Sequence, residues 1–290
     1  RGEKLVGVRG MSFTTLVDAA TLVAQQADPD WLIVDVRHQL ADTAYGARAY
    51  AEGHIPGAVF LHCDCDLSGA MCGTNGRHPL PAPEALAARF GAIGISAETQ
   101  VVIYDDAQGM IAGRLWWLLR WLGHEKVAVL DGGLQAWLAA GGTLTSAMPV
   151  TKTANFVANV QDSLVDADYV QSFLDASRIH LIDARSPDRY RGENETIDPV
   201  GGRLPRAVNR FFRENLQADG RYKPATQLRV EWLAALDGKL PEQVVHYCGS
   251  GVSACHNVLA MEIAGLPGSR LYAGSWSEWC TQSGRPIAQG

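Results

Sequence analysis

WLIVDVR, at residues 31–37, comes back as IHLIDAR at 179–185. Each copy is a short β-branched run that ends in an aspartate, with an arginine two places on. Upstream, LVDAATLV (16–23) is echoed by LVDADYVQ (164–171) at the same offset of 148 residues. Downstream, GHIPGAV (53–59) is echoed by GRLPRAV (202–208), VVIYDD (101–106) by VVHYCG (244–249), and DGGLQAW (131–137) by AGSWSEW (273–279). Five segments recur in one order, so the chain reads as a tandem duplication. A length of 290 residues suits two units, each able to bury its own core. The expected division is a first domain over 1–142, a linker over 143–160 and a second domain over 161–290. TLTSAMPVTKTANF (143–156), charged only at Lys152 and without strong periodicity, marks the join.

Within each half, strand-like runs (LIVDV, VVIY and VAVL, then HLIDA, VVHY and SRLY) alternate with helical patterns, and Asp18 and Asp166 stand where helix N-caps belong. That alternation predicts an α/β fold, each half a mainly parallel sheet with helices on both faces. The cluster RLWWLLRWLG (114–123) carries three tryptophans at helical spacing and is expected to pack on the sheet. In such folds the functional crevice lies beyond the carboxyl ends of the strands.

Composition narrows the function. Twenty-five basic against 31 acidic residues leave no cationic surplus, which argues against nucleic acid or a membrane surface as partner. No apolar run approaches the roughly 18 residues of a spanning helix, and RGEKLVGVRG (1–10) lacks the apolar core of a secretory signal, so a cytoplasmic location is expected. The six cysteines, at 63, 65, 72, 248, 255 and 280, are too few for a disulfide framework and read as reduced thiols. HCDC (62–65) with Cys72 and His78 gathers soft ligands, but Cys-x-Cys without a second pair is poor zinc arithmetic, and neither metal nor cofactor is expected.

The end of the VVHY run of the second half is where chemistry is written. VVHYCGSGVSACHN (244–257) runs from apolar residues into Cys248, then two glycines and two serines, then residues that open a helix. A thiol is a good nucleophile only as thiolate, a form favoured at a helix N-terminus or in a nest of backbone N–H groups. Gly249 and Gly251 are expected to take backbone angles closed to other residues and turn N–H groups toward the sulfur, with Ser250 and Ser253 adding hydroxyls. The matching position in the first half is Asp105, so only one half carries a nucleophile. Cys255 lies seven residues on, nearly two helical turns away if the helix starts promptly, a spacing that disfavours a disulfide with Cys248 and leaves a redox pair as the alternative. His246 and Tyr247 alternate on the strand and are expected to pack.

Taken in order, DVR with GHIPGAV, WWLLRWLGHEKVAVLDGGLQAW (116–137), DARSPDRYRGE (183–193), CGSGVSA (248–254) and YAGSWSEW (272–279) make the chain resemble the two-domain rhodanese-like sulfurtransferases over nearly its full length. The resemblance implies a Cys248 persulfide that carries sulfane sulfur, a cradle from Gly249 through Val252 and Ser253 to Ala254, and an inactive first domain that walls the cleft. Gly249-Ser250-Gly251 is similar to the loop of 3-mercaptopyruvate sulfurtransferases, whereas members that use thiosulfate carry basic residues there. A thiosulfate dianion gains from an adjacent cation, while carbon–sulfur cleavage needs proton management that a serine hydroxyl helps to supply.

By the same likeness, Ser250 is assisted from the first domain by His78, in GRHPLP, and by Asp64, in HCDCDLSG, with Asp66 as second choice. Arg189 would hold the donor carboxylate. The arginine expected nine residues later is missing, Asp198 standing there, with Arg191 or Arg203 as possible compensation. Arg185, in DAR, reads equally as a substrate contact or as half of an internal ion pair. The implied activity moves sulfur from 3-mercaptopyruvate, or alternatively thiosulfate, to cyanide, a small thiol or thioredoxin. Two rivals are weaker. Phosphatases place an arginine six residues after their cysteine, where this chain has Ala254, and a non-catalytic binding module would have no need of Cys248.

Overall fold

Each copy of the duplicated sequence forms a five-stranded, wholly parallel sheet in the computed structural model, which describes residues 12–174 and 178–290. The opening of the expected first domain, 1–11, lies outside the described residues. The first half runs β1 (Leu16–Val17), α1 (Ala19–Gln25), β2 (Trp31–Asp35), α2 (Tyr45–Glu52), β3 (Val59–Phe60), α3 (Pro83–Ala92), β4 (Gln100–Tyr104), α4 (Ala112–Trp121), β5 (Val127–Leu130) and α5 (Gly133–Ala139). The second repeats it as β6 (Leu164–Val165), α6 (Ala167–Phe173), β7 (His180–Asp183), α7 (Pro187–Arg191), β8 (Val208–Asn209), α8 (Ala225–Leu236), β9 (Val244–Tyr247), α9 (Ala254–Ile263), β10 (Arg270–Tyr272) and α10 (Ser275–Trp279). Strand order is β1-β5-β4-β2-β3 in one sheet and β6-β10-β9-β7-β8 in the other. β4 and β9 are buried along their whole length, which is why neither alternates apolar with polar residues. The two aspartate caps form as expected: Asp18 accepts from the Thr21 N–H at 2.7 Å and Asp166 from the Tyr169 N–H at 2.8 Å.

The two halves meet through α4 and α9, and one apolar core runs through the contact, from Leu115 and Leu119 to Leu259 and Met261. Gly113 permits the approach: a Cβ there would lie 3.3 Å from the His256 backbone nitrogen. Trp116, Trp117 and Trp121 are buried, yet so is nearly every residue of α4, because the helix is enclosed by its own sheet on one side and α9 on the other. The segment between the halves is strapped to the first one, where the Ala154 N–H donates to Gly91 at 2.8 Å and the Asn159 N–H to Leu122 at 2.9 Å. Among the described residues no helix is long and apolar enough to cross a membrane.

Candidate active site

Cys248 follows β9 directly, at the carboxyl edge of the sheet, and is 2% exposed. The loop turns back on it: Gly251 has φ +78° and its N–H points at Cys248 Sγ at 3.2 Å. A Cβ on Gly251 would lie 2.2 Å from the Ala273 carbonyl oxygen, so both angle and space require glycine. Gly249 differs from the sequence expectation, since its backbone angle is not left-handed. What it supplies is room, because a Cβ there would lie 2.9 Å from Arg77 Nη2 and 3.4 Å from Arg189 Nη1. Behind the loop, the start of α10 fastens it. The N–H groups of Trp276 and Ser277 donate to the carbonyls of Cys248 and Gly249 at 3.0 and 2.9 Å, and Ser275 Oγ accepts from the Cys248 N–H at 3.1 Å. AGSWSEW, the second-half echo of DGGLQAW, is thus a clamp on the cysteine loop.

The first half reaches this loop through its 61–81 segment. Ser250 Oγ lies 2.7 Å from His78 Nδ1, and His78 Nε2 lies 3.2 Å from Asp64 Oδ1. A carboxylate only accepts, so Nε2 carries the hydrogen and Nδ1 is left to accept from the Ser250 hydroxyl. Burial, then the nearby Arg114 charge, lowers the His78 pKa to about 4, which keeps the ring neutral and able to take a proton. Asp66 is engaged elsewhere, in an ion pair with Arg89 at 2.7 Å and accepting the His62 N–H at 2.7 Å.

Sequence reasoning missed Arg114. It is 0% exposed, makes no ion pair among the described residues, and spends its guanidinium on the carbonyls of His78 at 2.9 Å, Leu67 at 3.4 Å and Gly251 at 3.1 Å. One side chain of α4 therefore joins the cysteine loop to the His78 segment. Its only signal in the sequence is a cation in the first turn of a largely apolar helix.

A cavity of about 320 Å³ opens over the cysteine, lined by Cys248, Gly249, Ser250, Val252 and Ser253 with Arg77, Arg185 and Arg189. Arg189 sits at its wall, held by Glu195 at 3.0 Å and Asp198 at 3.2 Å. Arg185 forms part of the cavity wall but is committed inward, to Asp183 at 2.7 Å and the Gly202 carbonyl at 2.7 Å, with its guanidinium over the Trp276 ring. Neither expected compensating arginine lines the cavity. Arg191 pairs with Glu193 at 2.8 Å on the exposed surface, and Arg203 donates to the Gly290 carbonyl at 2.6 Å. Two cations that do line it, and that the sequence did not single out, are Arg77 and Arg213.

Asp105, the counterpart of Cys248, lies buried in its own loop, with the N–H groups of Ala107, Gly109, Ile111 and Ala112 each donating to its carboxylate at 2.9 Å. Burial raises its pKa and those four donors oppose the rise. The remaining thiols are poor nucleophiles where they are buried: Cys63 and Cys255 are pushed up to about 12, and the Cys255 thiol donates to the Gly251 carbonyl at 3.3 Å. Cys63, Asp64 and His78, and also His38, His62 and Asp64, bring single donor atoms within 4.8 Å of one another. A cation in the first set would have to displace the Ser250–His78–Asp64 contacts. In the second set, His62 Nδ1 already accepts the Asp64 N–H at 3.1 Å.

The family model described as "Rhodanese-like domain" matches residues 18–140 and again 166–282. A Pseudomonas aeruginosa protein named "Probable 3-mercaptopyruvate sulfurtransferase" is 47% identical over 283 residues, covering 97% of this chain and 100% of the relative. The bovine "Thiosulfate sulfurtransferase" is 33% identical over 268 residues, covering 90% of this chain and 89% of the relative. Among solved structures, the 3-mercaptopyruvate sulfurtransferase from Leishmania major superposes with a TM-score of 0.82 at 28% identity, covering 94% of this chain and 76% of that one.

Proposed function

This chain belongs to the two-domain rhodanese-like sulfurtransferases, and on that premise we propose that it moves a sulfane sulfur from 3-mercaptopyruvate, through a persulfide on Cys248, to a thiol or cyanide. The observation that carries the choice of donor is the Ser250–His78–Asp64 chain, at 2.7 and 3.2 Å, brought from the first half to the residue two places after the nucleophile. Cys248 as thiolate attacks the donor's sulfur, a new S–S bond forms, and the C–S bond breaks with its electron pair going to carbon as the enolate of pyruvate. The proton that leaves the donor's sulfur passes to Ser250 and His78, and the same relay returns a proton to the enolate carbon. The persulfide then gives its outer sulfur to an acceptor, cyanide leaving as thiocyanate or a thiol as its own persulfide, and Cys248 returns as thiolate. Gly249, Gly251, Val252 and Ser253 cradle the outer sulfur, and Arg189 holds the donor carboxylate.

The Asp64 and His78 roles, thioredoxin among the acceptors, and a cytoplasmic location belong to the same proposal. What supports the location is that all six thiols are unpaired. Steady-state kinetics with 3-mercaptopyruvate and thiosulfate side by side tests the donor: kcat/KM should be higher for 3-mercaptopyruvate, and a higher value for thiosulfate would overturn the choice. Intact mass after donor alone should show one added sulfur, about 32 Da, in the wild type and none in Cys248→Ser.

A further inference from the structure

We propose that Arg77, carried in from the first half, is a second guanidinium for the donor's carboxylate, and that Asp198 holds it in place and sets the donor charge the pocket prefers. The inference rests on the sulfurtransferase reading and names residues that reading does not use. Arg77 precedes His78, and its backbone N–H donates to Ser277 Oγ at 3.1 Å, which pins it against α10 at the boundary of the halves. Its side chain then crosses to the cysteine loop. A Cβ built on Gly249 would meet Arg77 Nη2 at 2.9 Å and Arg189 Nη1 at 3.4 Å, so guanidiniums from opposite halves face the residue next to the nucleophile.

Between them lies one carboxylate. Asp198, 3% exposed at its side chain, pairs with Arg77 through Oδ1 and with Arg189 through Oδ2 at 3.2 Å. Arg189 also has Glu195, whereas the Arg77 side chain makes a hydrogen bond only to Asp198 among the described residues. Most of the five donors of the Arg77 fork are therefore unspent, and Arg77 lines the cavity above Cys248. A planar fork with unused N–H groups beside a nucleophile suits a carboxylate. The charges also matter: Arg77 and Arg189 are balanced by Asp198 and Glu195, and Arg213 adds a further cation elsewhere on the cavity wall. A monoanionic group is accommodated by sharing N–H donors, while a dianion gains less than it would from an unopposed pair.

The test uses the full chain with Arg77→Gln, Arg77→Lys and Asp198→Asn, measuring kcat and KM with 3-mercaptopyruvate and with thiosulfate, and the thermal midpoint. Arg77→Gln should raise KM for 3-mercaptopyruvate about 10- to 100-fold with kcat changed by less than about threefold, the signature of lost uniform binding. Arg77→Lys should recover part of the loss, supplying charge without the fork. Asp198→Asn should shift the ratio of kcat/KM values toward thiosulfate by about tenfold. An Arg77→Gln enzyme whose KM stays within about twofold for both donors, with or without a lower midpoint, reduces Arg77 to a tether between the halves and overturns the inference. Should that variant fail to fold, Asp198→Asn decides, an unchanged donor ratio overturning the inference. A wild type inert with both donors would instead overturn the sulfurtransferase reading itself.

Discussion

Removing the two ends of the proposed relay, singly and together, asks whether Ser250 and His78 act as one unit. General acid–base help of this kind is worth about 10²- to 10⁴-fold, which is roughly 3 to 5 kcal/mol of barrier. His78 is buried, keeps a lone pair on the Nδ1 that lies 2.7 Å from Ser250, and is steadied on its other nitrogen by Asp64 at 3.2 Å. A proton leaving the donor through Ser250 therefore has His78 as its acceptor. Ser250→Ala and His78→Ala should each lower kcat for 3-mercaptopyruvate within that range, and the double variant should be about as slow as the slower single one. Thiosulfate provides the internal control. Its S–S bond breaks to release sulfite, with no carbon to protonate, so both variants should keep thiosulfate turnover within about threefold. The assay is pyruvate release against thiocyanate release, with persulfide formation on Cys248 followed by mass. Losses that multiply in the double variant, or that are equal for the two donors, would refute the relay.

Two further outcomes follow from the same geometry. Asp105→Asn should destabilise the first half by about 2 to 6 kcal/mol, since one amide oxygen cannot satisfy four N–H donors and its NH₂ would face two of them at about 1 to 3 kcal/mol each; a denaturation midpoint unmoved by the change would remove the nest as a stabilising feature. Stability should also fall with acid through the buried histidines. Burial holds His78 near about 4 and His246 and His256 near about 3, against an ordinary 6.5. Between pH 6.5 and those values the unfolded chain binds protons that the folded one does not, so stability is full above about 6.5 and declines below it by up to about 1.4 kcal/mol per pH unit for each ring. His246→Leu, which removes a ring whose Nδ1 has no partner, should reduce that slope by about one proton in denaturation curves taken between pH 7 and 5.

The parts legible in the sequence are those written within a few residues of one another. The duplication showed itself as a constant offset, the helix caps as single aspartates, and the cysteine loop as a strand, two glycines and a helix start. Where a contact depends on the meeting of the halves, no local signal exists. Arg114 reads as a stray charge in an apolar helix until α4 is placed against the cysteine loop, and Arg77 reads as the neighbour of His78 until its side chain is seen beyond Gly249. Asp64 and Asp66 are the same residue type two places apart. Arg89 and the His62 N–H draw Asp66 away, leaving Asp64 for His78, and neither partner is visible from spacing. Gly249 misled for a related reason, because a glycine kept for space and one kept for angle look alike in a sequence.

The duplicated architecture also supplies an internal comparison that separates scaffold from chemistry. Arg37 binds Asp35 at 2.7 Å and the Gly53 carbonyl at 2.7 Å, and Arg185 repeats both contacts, to Asp183 and Gly202, at the same distances. Tyr104 accepts the Ile55 N–H at 3.2 Å, as Tyr247 accepts that of Leu204 at 3.2 Å. The first half keeps this arrangement without a nucleophile, which argues that Arg185 supports the loops rather than chooses the donor. For the chemistry, the halves part company at the first residue after the central strand. In the first half the loop closes on its own carboxylate, four N–H groups spent on Asp105. In the second, the sulfur of Cys248 takes the Gly251 N–H alone among the described residues, and a cavity opens above it. The first-half loop spends four donors on an anion that is part of the chain, whereas the proposed persulfide of Cys248 would meet the Gly251 N–H and the open cavity.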